Sequence, residues 1–206
     1  MHIYKREIFD KIKAKLGENK VLVLLGARRT GKSVLLKQII SEQGTDYKLF
    51  NAEDENVKQL FKTQTVQNFK NILGSKRFLV IDEAQNIENI AKKLKLMIDE
   101  IKGLCILITG SSAYDVINET GEPLTGRKYT FNLYPFCEKE YDQTEDIIQK
   151  PDNLKKRLIF GNYPEILHMN NDEEKGEYLT EIVNSYLLKD ILAFENIRNS
   201  SKILNL

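Results

Sequence analysis

Eight consecutive residues, Gly26-Ala27-Arg28-Arg29-Thr30-Gly31-Lys32-Ser33, set two glycines, a lysine and a hydroxyl at the spacing G-x-x-x-x-G-K-S. Glycines at those positions let the backbone curl until several N–H groups face one point, and the start of a following helix adds its dipole. That is a cradle for phosphate. Lys32 stands where an ammonium reaches terminal phosphate oxygens, and Ser33 offers Mg²⁺ a hard hydroxyl ligand of suitable length. The run matches the nucleoside-triphosphate P-loop pattern without a mismatch. The apolar Val21–Leu25 before it and the periodic Val34, Leu35, Ile39 and Ile40 after it supply the strand and helix such a loop requires. The expected nucleotide contacts are Gly26, Ala27, Arg28, Arg29, Thr30, Gly31, Lys32, Ser33 and Val34. Arg28 is read equally well as a phosphate contact, a contact to a neighbouring copy or a solvated side chain.

A second segment, Phe78-Leu79-Val80-Ile81-Asp82-Glu83, is an apolar strand ending in two carboxylates, the form of a Walker B segment. Asp82 is expected to hold the Mg²⁺ with Ser33 through the ion's water shell, because a further anion is tolerable there only beside a divalent cation. Glu83 next to it can orient and activate a water for in-line attack on the γ-phosphate, which points to hydrolysis rather than transfer to a second substrate. The plainer alternative is that the acidic pair caps the next helix. A third apolar run, Leu104–Thr109, brings Thr109, Ser111 and Ser112 to a strand end, where one could sense the γ-phosphate or the attacking water. Position alone does not choose among them or exclude simple turn chemistry; Ser111 is counted with the nucleotide contacts.

Several elements must position these groups. Ile8, Phe9, Ile12 and Leu16 predict a helix over 5–16, and strands are expected at Val21–Leu25, Tyr47–Asn51, Arg77–Ile81, Leu104–Thr109 and Tyr129–Leu133. Between them lie a polar helical stretch over 55–73 and a helix over 88–102 whose Ile90, Ala91, Leu94 and Ile98 share one face. Strands alternating with helices imply an α/β three-layer sandwich around a parallel five-stranded sheet, with ligands at the C-terminal strand ends. A strand between the P-loop and Walker B strands, together with Glu83, implies the order 5-1-4-3-2. From Pro151 the pattern turns helical, with a long helix through Tyr178, Ile182, Leu187 and Ile191. A division into a nucleotide-binding domain, 1–145, and a small helical part, 146–206, follows.

Composition narrows the classes further. The chain has 206 residues, of which 41% are apolar, enough for a sizeable core, and a formal net charge of +1. Near-neutral charge and the lack of basic and aromatic interleaving give no support for a nucleic-acid partner. No apolar run approaches a membrane span, and Met1-His2-Ile3-Tyr4-Lys5-Arg6 lacks the apolar core of an export signal, so a cytoplasmic protein is expected. Cys105 and Cys137 lack metal-ligand spacing and read as buried apolar residues. His2 and His168 are isolated and carry no catalytic expectation.

The residues resemble those of the AAA+-related ATPases of bacteria and archaea in which an AAA domain is commonly followed by a C-terminal domain of unknown function. The likeness rests on Arg6, the P-loop, Ile81-Asp82-Glu83-Ala84-Gln85, Thr109-Gly110-Ser111-Ser112, Leu124-Thr125-Gly126-Arg127, Leu133-Tyr134-Pro135-Phe136 with Glu140, Gly161-Asn162-Tyr163-Pro164 and Lys189-Asp190-Ile191. It implies ATP rather than GTP, Tyr4 and Arg6 in the base pocket, and Pro164 near the adenine. It further implies Arg127 as an arginine finger, read equally well as a surface arginine in a loop, with Glu83 and Lys32 completing the catalytic set; a finger acting in trans would require oligomers. Of the family's long C-terminal domain, the sequence holds only the first helix. The expected activity is Mg-dependent hydrolysis of ATP to ADP and phosphate, coupled to a conformational change and open to homo-oligomers or a protein partner. The alternative is a slow-turnover switch that holds ADP. A small-molecule kinase is disfavoured, because no acceptor site or arginine-rich lid is evident.

Overall fold

In the computed structural model, residues 4–44, 46–111 and 124–187 are described. Three apolar runs of five or six residues, β1 (Val21–Leu25), β3 (Phe78–Asp82) and β4 (Cys105–Gly110), are buried almost throughout. Strands apolar on both faces are those of a sheet covered on both sides. Two more exposed strands, β2 (Lys48–Asn51) and β5 (Lys128–Asn132), close its edges. All pairings are parallel and the order is β2-β3-β4-β1-β5, which is the expected 5-1-4-3-2 read from the other edge.

Alternation along the strands sorts side chains into two cores. Val21, Val23 and Leu25 face one layer with Leu79, Ile81, Ile106 and Ile108. That layer contains α3 (Glu55–Lys62), α4 (Val66–Leu73) and α5 (Ile90–Glu100). Leu22, Leu24, Val80 and Leu107 face the other, with α1 (Ile8–Lys13) and α2 (Lys32–Ser41). At about 25 cal/mol per Å² of apolar surface, these two layers supply the main driving force for folding.

Local chemistry trims the expected boundaries. The stretch 55–73 is two helices. Thr63 is extended, Asp54 and Thr65 each cap a helix start by accepting a main-chain N–H, and the Asn68 amide donates to Leu60 O and Thr63 O at 2.9 and 3.0 Å. One side chain thus satisfies carbonyls left over at the end of α3. The helix expected over 88–102 starts at Ile90 and is preceded by a 3₁₀ turn, Ala84–Asn86.

The chain divides into two compact units, Met1–Tyr134 and Pro135–Leu206. The second, taken by itself, holds α6 (Glu138–Tyr141), α7 (Lys150–Phe160), a 3₁₀ turn Pro164–His168 and α8 (Asp172–Ile182), which runs into a π-helical turn, Val183–Leu187. The long helix expected in this region therefore begins at Asp172, after its Asn171 cap, and Ile191 lies outside the described residues. Its core is small, formed by Ile166, Tyr178 and Ile182. Around Arg157 the usual pattern inverts. Its guanidinium is almost buried, donating to both Glu138 carboxylate oxygens at 3.0 and 2.7 Å and lying 4.3 Å from the Tyr141 ring centre, while Leu158 and Ile159 on the same helix are exposed.

Candidate functional site

The loop after β1 is shaped by a close approach and a handedness. A Cβ on Gly26 would lie 2.4 Å from the Leu133 carbonyl oxygen, so only glycine fits where the loop crosses the end of β5. Gly31 has φ 95° at the cap of α2, a conformation costly for other residues. Arg29 also has positive φ, 67°. The Lys32 ammonium folds back along the loop and donates to Gly26 O at 2.9 Å and Ala27 O at 3.1 Å, while the Thr30 hydroxyl donates to Ala27 O at 2.8 Å. Arg6 is nearly buried and donates to two main-chain carbonyls, Thr30 O at 2.9 Å and Tyr134 O at 2.6 Å. It ties the loop to the chain beyond β5. Nothing in the sequence signals that tie.

Because β4 lies between β1 and β3, Thr109 stands between the P-loop and the acidic pair. The Ser33 hydroxyl donates to Asp82 Oδ2 at 3.0 Å, which joins the two halves of the expected site directly. Thr109 donates its hydroxyl proton to Asp82 Oδ1 and accepts from the Glu83 N–H at 2.9 Å. Its single hydroxyl is thereby committed to holding the acidic pair. Glu83 has φ 52° and ψ 45°, a left-handed conformation that costs a non-glycine residue on the order of 1–3 kcal/mol. Its carbonyl accepts from the Asn86 N–H and side-chain amide, both at 3.1 Å, and its carboxylate accepts from the Gln85 amide at 2.6 Å.

The other expected residues fall in different places. Ala27, Arg28 and Arg29 are exposed on the loop, as are Ser33 and Val34 at the start of α2. Tyr4 is half-buried, and its carbonyl accepts from Gln38 on α2 at 3.2 Å. Ser111 follows the end of β4 and is half-buried, while Ser112 lies outside the described residues. Pro164 opens the 3₁₀ turn of the second unit. Arg127 precedes β5, and its carbonyl accepts from Val21 N at 2.9 Å, so it sits at the N-terminal edge of the sheet, opposite the P-loop. Its Nε pairs with Asp99 at 2.5 Å. A strand of five residues, about 16 Å long, separates it from the P-loop of its own chain.

The oxygen donors suit magnesium. Among the described residues no cluster of three or more His, Cys, Asp or Glu side chains could cage a metal ion. What the site offers is one hydroxyl and one carboxylate beside the loop after β1, the sparse protein ligation that Mg²⁺ accepts when phosphate and water complete its shell. Burial pushes the Cys105 thiol up, and the Tyr129 hydroxyl and Lys15 hold Glu18 below the usual carboxylate range.

An AAA domain family model matches residues 18–142, covering the P-loop, the acidic pair and the strand between them. The chain belongs to the AAA domain family. A second model, of a domain of unknown function, matches residues 151–206. An uncharacterized protein of Methanocaldococcus jannaschii is 30% identical over 206 residues, spanning 93% of this chain and 46% of that protein. One from Haemophilus influenzae is 28% identical over 192 residues, spanning 83% and 46%. The chain thus covers less than half the length of these relatives. In fold it is similar to a Walker-type ATPase of Pyrococcus abyssi, with TM-score 0.60 at 16% identity over 94% of this chain and 76% of that one. Family membership and the P-loop fold support ATP binding and ATPase chemistry as the general class. Among the described residues no helix is long and apolar enough to cross a membrane.

Proposed function

We propose that this AAA domain binds ATP with Mg²⁺ and hydrolyses it to ADP and phosphate. The observation that carries the reading is the 3.0 Å bond from Ser33 to Asp82, which brings the P-loop hydroxyl and the Walker B carboxylate together at neighbouring strand ends. In this reading the loop N–H groups and Lys32 hold the β- and γ-phosphates, Lys32 exchanging its bonds to the Gly26 and Ala27 carbonyls for phosphate oxygens. Ser33 and Asp82 would hold Mg²⁺, which neutralises charge on the phosphate oxygens. Glu83 accepts a proton from the attacking water as its oxygen bonds to the γ-phosphorus and the bond to the β–γ bridging oxygen breaks. Thr109 keeps the Asp82 carboxylate and the Glu83 main chain in place. Ser111 is proposed at the γ-phosphate, Val34 among the nucleotide contacts, Tyr4 and Arg6 beside the base, and Pro164 near the adenine.

The reading extends to a rearrangement coupled to nucleotide state, to assembly with further copies or a protein partner, and to a cytoplasmic setting in which both free cysteines stay reduced. Arg127 enters as a finger only in a neighbouring copy's site, since it stands at the far edge of its own sheet.

Phosphate release with ATP and with GTP, in the wild type and in Glu83→Gln, tests the reading. The expected result is Mg-dependent release from ATP that falls at least about 100-fold in the variant while Mg-ATP affinity is retained. A wild type that binds ATP but releases no phosphate would instead identify a nucleotide-held switch.

A further inference from the structure

Gln85 is half-buried in the 3₁₀ turn after the acidic pair, and its side-chain amide is used unequally. Its Nε2 donates to Glu83 Oε2 at 2.6 Å. Its Oε1 is buried and accepts nothing from the described residues. The amide cannot turn over to mend this, because its carbonyl oxygen would then face the Glu83 carboxylate, acceptor against acceptor. A buried acceptor without a donor is a cost that folded chains seldom carry. Here the contact with Glu83 is what that cost secures. Glu83 itself is held at every other polar point. Its N–H goes to Thr109, and its carbonyl takes two bonds from Asn86. Only the carboxylate has rotamer freedom left, and Gln85 removes it.

We infer that Gln85 is a positioning residue for hydrolysis: it fixes the Glu83 carboxylate in the orientation from which that group engages the attacking water. The inference rests on the hydrolysis proposed above. It assigns Gln85 a role distinct from the phosphate, metal and finger contacts. A side chain kept for stability and one kept for positioning differ in a measurable way, because removing an unpaired buried oxygen relieves the fold while removing the amide frees Glu83.

Gln85→Met keeps the length and removes both polar ends. The expected result is a melting temperature unchanged or raised, Mg-ATP affinity unchanged, and kcat for phosphate release lowered roughly 10- to 100-fold, the scale of a catalytic group displaced by about 1 Å. Because Gln85 acts through Glu83, adding Gln85→Met to Glu83→Gln should leave the residual single-turnover rate unchanged. Gln85→Lys, which restores a donor of similar reach, should recover part of the lost kcat. If Glu83→Gln abolishes release while Gln85→Met leaves kcat intact, the inference is overturned and the hydrolysis reading stands. A fall in melting temperature with kcat unchanged, or a further loss in the double variant, overturns it in favour of a structural role. If release in the wild type is absent or indifferent to Glu83→Gln, the hydrolysis reading fails and this inference falls with it.

Discussion

Thr109 has one hydroxyl and two bonds to make with it, a proton for Asp82 and a lone pair for the Glu83 N–H. Thr109→Val keeps the shape and removes both, which leaves a part-buried N–H unpaired. A loss of about 1–3 kcal/mol in a urea titration is expected, with a fall in phosphate release as Glu83 loses its support. Gly26→Ala is expected to be more damaging, because its Cβ would meet a main-chain carbonyl that cannot move without parting β5 from β1. Loss of the cooperative thermal transition, or of soluble expression, checks it. The P-loop and Asp82-Glu83 were legible in the sequence because their chemistry is local and their spacing specific. The bond that Thr109 accepts from the Glu83 N–H was not. It depends on where the Glu83 N–H points, and nothing in the sequence marks Glu83 as left-handed. The tie from Arg6 joins residues 24 and 128 positions apart in sequence and escaped reading for the same reason.

Among the elements, β1, β3 and β4 declared themselves as unbroken apolar runs, since strands covered on both faces need no alternation. The break between α3 and α4 was hidden because Val57, Phe61, Phe69 and Leu73 keep a helical spacing across it. Thr65 and Asn68 decide the matter by capping rather than by hydrophobicity. Thr65→Ala should therefore cost about 1 kcal/mol, read from denaturant midpoints, with no change in nucleotide affinity. Near the start of β5, half-buried Tyr129 donates to Glu18 at 2.7 Å, and that bond, with Lys15, holds the carboxyl below its ordinary range. A carboxylate whose pKa is lowered on folding stabilises the fold above its unfolded value, and that contribution is lost as pH falls through the folded one. Tyr129→Phe is expected to lower the melting temperature near neutral pH, with the deficit closing in the acid range. Parallel melts from pH 7 downward check the sign.

For the whole molecule, the parallel sheet gathers the P-loop, Asp82, Glu83 and Thr109 at the C-terminal strand ends and puts Arg127 at the opposite end. The sequence could name Arg127 by resemblance but not say which end of the sheet it occupies, because that depends on the register of β5 with β1. On the proposed reading, a finger so placed would serve only another copy. Phosphate released per chain should rise with protein concentration in the wild type, and Arg127→Ala should keep it low and flat across the same range. The central claim is narrower than assembly or turnover: a bend of main-chain amides and the Lys32 ammonium grip a triphosphate beside a metal-holding Ser33 and Asp82. Calorimetric titration of Mg-ATP into the wild type and Lys32→Ala tests it most directly. Saturable binding in the wild type that weakens at least about tenfold in the variant is the predicted result, and equal affinity in the two proteins would contradict the account.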